Sequence, residues 1–289
     1  MLTRVDRIQL AVRDRRSATV PFARLLDAAV TSEDAVAPLG ARRTTLAVGH
    51  ATIELLEPEG DGPVAAHLAG AGPGLFAAGF ATGDLDGLRH RLVEGRIPFA
   101  EADQQLFLGE DATGGSGLRC VLSAERDVPV APGLVTHLYE VTNLVDDWEA
   151  AAGRYTALFD LDATRFCAIA SDEYGYRGTL TMFDPRDRLD RIEVITPYDF
   201  GKTMGRFMRK RGPSLYMCFA EAPDLAAIRA RLETHAPGDW TGSTSDAVPD
   251  TLFIHPKALA GLMMGVSRTS VGWTWSGHPE RVRPRPPSH

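Results

Sequence analysis

The chain has 289 residues, 44% of them hydrophobic, with a formal net charge of −7 and a pI near 5.6. That length predicts about two domains with packed cores. The acidic balance argues against a nucleic-acid partner, which needs a clustered basic face. Cys120, Cys167 and Cys218 are odd in number and far apart, so free thiols are expected rather than a disulfide framework. The N-terminal MLTRVDRIQLAV enters an alternating strand directly, and no apolar run reaches the length of a membrane span. A cytoplasmic protein with no membrane partner is therefore expected.

In chain order, residues 4–12 alternate as a strand, RSATVPFARLL has helical spacing, and LAVGHATIELLEP reads as strands ending at a proline. The pattern restarts at PGLFAAGFATGDLDGLRHRLVEGRIPF, where Asp84 opens a helix and Gly95 closes it, followed by strands through GLRCVLSAE. It restarts at LVTHLYEVTNLVDDWEAAAGRYTALFDL and a fourth time at PSLYMCFAEAPDLAAIRARLETH. The Pro- and Gly-bearing stretch DVPVAPGL divides the second unit from the third. The expected layout is α+β: four βαβββ units paired into two cupped mixed-sheet domains, 1–126 and 133–276. A basic, Pro-rich tail, 277–289, is expected to be disordered. GAGPG and ATGGSG lack the strand-before, helix-after order of a phosphate-binding loop.

Setting the strand starts side by side places Arg7, Ala77, His137 and Met217 together. The final strands place Glu54, Val121, Glu193 and Gly265 together. In the first half Arg7 cannot ligate a cation and Ala77 and Val121 offer no lone pair, which leaves no metal site there. Arg7 either pairs with Glu54 or meets a substrate carboxylate. In the second half His137 and Glu193 are expected to meet across the sheet, where Glu193 would orient the imidazole.

The four-fold layout, with VDRIQLAV, TIELLEP, KRGPSLYMCFAEAPDL and FIHPKALAGLMMGV, resembles the vicinal oxygen chelate superfamily over about residues 4 to 275. Glyoxalase I, methylmalonyl-CoA epimerase, bleomycin-resistance proteins and extradiol dioxygenases belong to it. The resemblance implies ligands projecting from the first and last strands of each unit into an open cup. In the dioxygenase branch it implies an iron triad at the places of His137, Met217 and Gly265. Since Met217 and Gly265 cannot serve, a ring-cleaving dioxygenase is not expected.

The resulting expectation is a lyase or isomerase acting on a small carbonyl or enolisable substrate in the C-terminal cup. His137 and Glu193 would be its catalytic residues, or two ligands of a weakly held divalent metal. Tyr139, Met217, Met263 and Arg206 would contact substrate. The alternative is a non-catalytic small-molecule binder of the bleomycin-resistance kind. The basic run Arg206, Arg209, Lys210, Arg211 reads either as a solvated loop or as an anion clamp at a pocket mouth. His255 reads as part of a hairpin turn, and Trp273 and Trp275 as caps on a terminal strand. Either a monomer or a homodimer is compatible with tandem units.

Overall fold

The computed structural model describes residues 1–242 and 250–284. Two sheets of eight strands follow one plan. The first contains β1 (Leu2–Ala11), β2 (Ala29–Val36), β3 (Ala41–Val48), β4 (Ala51–Pro58), β5 (Gly74–Thr82), β6 (Ala100–Ala102), β7 (Gln105–Leu108) and β8 (Cys120–Ala124), in the order β2-β3-β4-β1-β5-β8-β7-β6. The second contains β9 (His137–Leu144), β10 (Cys167–Ser171), β11 (Tyr176–Met182), β12 (Arg191–Pro197), β13 (Ser214–Ala222), β14 (Trp240–Gly242), β15 (Thr251–Ile254) and β16 (Met264–Arg268), in the order β10-β11-β12-β9-β13-β16-β15-β14. The two orders are identical once shifted by eight, so the α+β class and the four βαβββ units stand as expected.

The unit helices are α1 (Arg15–Leu26), α3 (Leu85–Glu94), α4 (Trp148–Phe159) and α6 (Leu225–His235). Two further helices, α2 (Pro63–Gly70) and α5 (Thr203–Arg211), cross from one unit to the next. The basic run at 206–211 is thus the body of α5, not a loop. Each unit helix starts with the same device, an aspartate whose carboxylate accepts the backbone N–H three residues on: Asp14 from Ser17, Asp84 from Gly87, Asp147 from Ala150 and Asp224 from Ala227. Such a cap satisfies a helix donor left without an intrahelical partner. Repeated four times, it marks the same point of every unit.

Within each sheet the first strands of the paired units run antiparallel, and each lies parallel to the last strand of its own unit. One face of each sheet packs on helices. Those faces merge into a single core that includes Ile8, Phe22, Phe80, Val141, Tyr155 and Val194, with the Phe80 ring edge-on to Phe183 at 5.6 Å. The opposite faces curve into two cups. The N-terminal cup is packed with Leu39, Leu56, Leu68, Phe76, Phe107 and Val121. The segment from Val271 to Trp275 is a 3-10 helix rather than a strand. Of the expected tail, residues 279–281 form a short 3-10 turn, and 285–289 lie outside the described residues.

The halves meet closely through glycine. Gly261, at φ +97°, would carry a Cβ 2.7 Å from Gly74 Cα, and Gly117, at φ +73°, one 2.1 Å from the Pro213 carbonyl oxygen. Gly261→Ala should lower stability by about 2–3 kcal/mol through backbone strain plus a collision that cannot be relieved by a side chain. Gly60→Ala, at φ +90° with open space around it, should cost only about 1 kcal/mol. Urea unfolding of both variants checks this, and equal losses would contradict the close contact.

Candidate functional site

The helix-capping aspartates give an internal ruler. Arg7, Ala77 and Met217 each lie seven residues before their cap, whereas His137 lies ten before Asp147. The residue seven before Asp147 is Glu140. The pairing agrees: Arg7 faces Thr52 and Gly79, and Glu140 faces Arg191 and Phe219, while Gln9 opposite Glu54 matches Thr142 opposite Glu193. The third unit was therefore misregistered by three residues, and its cup position belongs to Glu140.

The structure does not bring His137 and Glu193 together. His137 sits at the far end of β9, where its Nε2 lies 3.1 Å from Asp190 Oδ2, in a different cavity from Glu193. Asp190 is fully buried. Its Oδ1 accepts the Val5 backbone N–H at 2.7 Å and its Oδ2 also accepts Arg188 Nε at 3.2 Å, so it pins the first strand of the N-terminal half to the C-terminal half. The expected metal pair of His137 and Glu193 falls with this geometry.

The C-terminal cup is a cavity of about 500 Å³. Glu140 and Glu193 lie on its floor, under an apolar wall that includes Tyr176, Met217, Phe219, Phe253, Met263 and Trp275. Behind the floor lies Arg191, wholly buried. Its Nε donates to Glu140 at 2.7 Å and its Nη1 to the Leu189 carbonyl at 3.1 Å, while the Tyr139 ring centroid is 4.8 Å from the guanidinium carbon. Glu193 accepts the Thr142 hydroxyl at 2.6 Å, and the Tyr176 hydroxyl also partners it. Two buried carboxylates thus compete for one nearby cation. Burial first, and the charge of Glu140 second, push the Glu193 carboxyl up to about 8. Glu140 is raised by burial too, but Arg191 opposes the shift directly. The uncompensated surroundings thus favour the protonated form of Glu193, while Arg191 favours the charged form of Glu140.

Of the other expected contacts, Met217 and Met263 line the cup. Tyr139 is fully buried beneath it, with its hydroxyl 3.0 Å from Ser267 Oγ. Arg206 is turned outward onto the Gly201 carbonyl and Thr203 and does not reach the cup, which corrects its expected substrate contact. His255 and Trp275, read from sequence as turn and capping residues, line the cavity, and so does Tyr216. A register shift between Leu215 and Met217 lets Tyr216 share the cup side with Met217. In the N-terminal cup the same acid position, Glu54, has Arg7 at 3.6 Å, Arg43 at 3.2 Å and the Gln9 amide at 2.8 Å, so its Arg7–Glu54 pair is present.

No protein-family model matches the chain, and no curated protein sequence does. Solved structures do. A mutant of 4-hydroxymandelate synthase from Streptomyces coelicolor matches over 93% of both chains at 16% identity and a TM-score of 0.66. A xylose isomerase-like TIM barrel/4-hydroxyphenylpyruvate dioxygenase fusion protein matches 93% of this chain and 49% of its own, at 11% identity and a TM-score of 0.60. The chain thus shares its tandem two-sheet fold with these two structures. Methylmalonyl-CoA epimerase from Mycobacterium tuberculosis covers 48% of this chain and 91% of its own at 24% identity, with a TM-score of 0.39.

The slot residues of this cup are poor ligands for a divalent metal. Glu140 is held by Arg191, Glu193 keeps its proton, and Met217 offers a soft thioether. Gly265 offers nothing, and the Phe219 ring occupies the space of its missing side chain, 2.2 Å from where a Cβ would stand. Among the described residues no group of three or more His, Cys, Asp or Glu could hold a metal, and no helix is long and apolar enough to cross a membrane.

Two outcomes test this geometry. Asp190→Ala should destabilise by about 3–5 kcal/mol, because it leaves buried donors unpaired, and His137→Ala by only about 1 kcal/mol; urea midpoints measure both. The unfolded Glu193 carboxyl ionises near 4.5 and the folded one near 8. Ionisation thus favours the unfolded chain increasingly from pH 4.5 upward, and this stability contribution is lost by the time pH passes about 8. Glu193→Gln should therefore gain stability relative to the parent steadily across that window, in unfolding curves taken at successive pH values.

Proposed function

We propose that the C-terminal cup performs proton transfer on an enolisable carbonyl compound, as an isomerase or lyase, with Glu193 as acid and Glu140 as base. The observation that carries this reading is the placement of two buried carboxylates on one cavity floor with a single guanidinium joined to Glu140, an arrangement that raises the pKa of Glu193. Pairs of acids whose environments separate their ionisation are suited to opposite roles. A neutral Glu193 can donate a hydrogen bond to a carbonyl oxygen and strengthen it as enolate charge develops. Glu140, anionic beside Arg191, can accept the proton from the adjacent carbon. The apolar wall keeps competing water low. The proton that Glu140 takes from carbon leaves an enolate whose charge the Glu193 hydrogen bond stabilises, and Arg191 favours the return of Glu140 to its anionic form. The expected His137–Glu193 dyad is replaced by Glu140 and Glu193.

A second reading, non-catalytic binding, is favoured by the Met- and aromatic-rich lining, which would grip an apolar ligand without any proton transfer. Incubation in deuterated water with a panel of keto acids, thioesters and aldehydes, followed by NMR, decides between them. The proposed enzyme washes deuterium into the carbon next to the carbonyl. Glu140→Gln and Glu193→Gln each lower that rate by about 10²–10⁴-fold, and His137→Ala leaves it within about twofold. kcat/KM falls as pH rises through about 8, where Glu193 loses its proton. Tight binding of a panel member recovered without exchange would establish the binding reading instead.

A further inference from the structure

The two crossover helices face each other across a groove of about 830 Å³ between the halves, with α2 contributing Ala66 and His67 and α5 contributing Phe207, Lys210 and Arg211. The groove and the C-terminal cup share Thr203, Tyr216, His255 and Met263, so the two cavities adjoin along one wall. Their chemistry differs. The cup is apolar above a polar floor, whereas the groove carries Arg119, Lys210 and Arg211 with Glu110 as its acid.

Glu110 is already matched with Arg119 at 2.9 Å. Lys210 and Arg211 have no carboxylate within ion-pair distance among the described residues, which leaves the groove with excess positive charge. Cations in the last turn of a helix also favour its C-terminus. Arg209 stacks on Phe200, which is outside the groove, 5.6 Å from the ring centroid, whereas Lys210 lines the groove and Arg211 lines it while lying over Phe207, itself a groove residue, 5.9 Å from that centroid. His67 sits among these cations as a neutral ring. Burial first, then the charges of Arg119 and Arg211, push it down to about 4. Its Nδ1 accepts from Arg119 Nη1 at 3.1 Å, which places its own proton on Nε2, so the imidazole adds a neutral donor. The groove is preformed, because the Gly117–Pro213 and Gly261–Gly74 approaches that join the halves belong to its lining.

We propose that cup and groove form one tract for an amphipathic anion, whose apolar, carbonyl-bearing body enters the cup and whose phosphate or carboxylate end rests on Lys210, Arg211 and the Arg119–His67 pair. This rests on the reading of the cup as the reactive site and names the substrate class for it. An anionic end would accept charge-assisted hydrogen bonds from Lys210 and Arg211, the two groove cations without a carboxylate partner among the described residues. The groove's volume also exceeds what a compact keto acid would fill, which gives the linker between body and charge a place to lie.

Calorimetric titration of the full chain with phenylbutyl phosphate, phenylbutyrate, phenylbutanol and inorganic phosphate tests the proposal. At least one of the two anions binds about tenfold tighter than the alcohol, and the preference shrinks with added salt. The tighter of the two identifies the terminal group. Lys210→Ala combined with Arg211→Ala removes the preference and leaves phenylbutanol binding unchanged; both residues are exposed, so the fold is not at stake. Tyr174→Ala and Phe253→Ala, in the cup lining, weaken all three organic probes about equally. Equal affinity for the alcohol and both anions, or a preference that survives the double substitution, overturns the proposal. Insensitivity of every probe to both cup variants overturns the reading of the cup itself.

Discussion

One guanidinium faces two buried carboxylates beneath the C-terminal cup. Arg191 can balance one of them, and it is joined to Glu140 at 2.7 Å. Electroneutrality in a low-dielectric setting then obliges Glu193 to stay protonated, because a second uncompensated charge at that depth would cost far more than holding a proton. Removing Arg191 would leave two like charges to share one proton. Removing either carboxylate would leave the other alone with the cation. The cup's chemistry depends on this unequal count.

The N-terminal half shows the same scaffold with the opposite solution. Glu54 occupies the place of Glu193 and Gln9 that of Thr142, but Arg7 stands where Glu140 stands, and Arg43 adds a second cation. Two arginines on one acid give an ionic cluster, and Leu39, Leu56, Phe76 and Phe107 pack beside it, leaving a cavity of about 300 Å³ against about 500 Å³ in the C-terminal cup. The two cups of the repeated fold thus differ in charge balance, one acid closed by arginines in the first and two carboxylates sharing one guanidinium in the second. The exchange of Arg7 for Glu140 at equivalent points accounts for most of the difference.

Much of the architecture was legible in the sequence because it depends on period and punctuation. Alternating apolar runs, helix-capping aspartates and the Pro-rich link at DVPVAPGL mark out the repeating units. The acid position of the last strand, Glu54 and Glu193, could be read for the same reason. The first-strand partner could not be read by similarity of the strand start, since His137 resembles a ligand while standing at the very first residue of β9, three before the cup position. The distance to the capping Asp147 would have singled out Glu140. Tyr216 and Tyr139 were obscured by irregular strand pairing, which re-aims side chains in a way strict alternation does not anticipate. Trp275 and His255 reach the cup through non-local turns, for which the local sequence carries no signal. The cup position in every unit keeps a fixed distance of seven residues to its capping aspartate, whatever chemistry the neighbouring residues carry.

The central claim is that Glu193 is a neutral acid near neutral pH. Difference infrared spectroscopy of the carboxyl C=O stretch, recorded through a pH titration of the parent chain and subtracted from that of Glu193→Gln, measures it directly. A protonated-carboxyl band belonging to Glu193 that persists at neutral pH and disappears with a midpoint near 8 is the predicted result. A band already lost near 4.5, the ordinary value for a glutamate, would contradict the account.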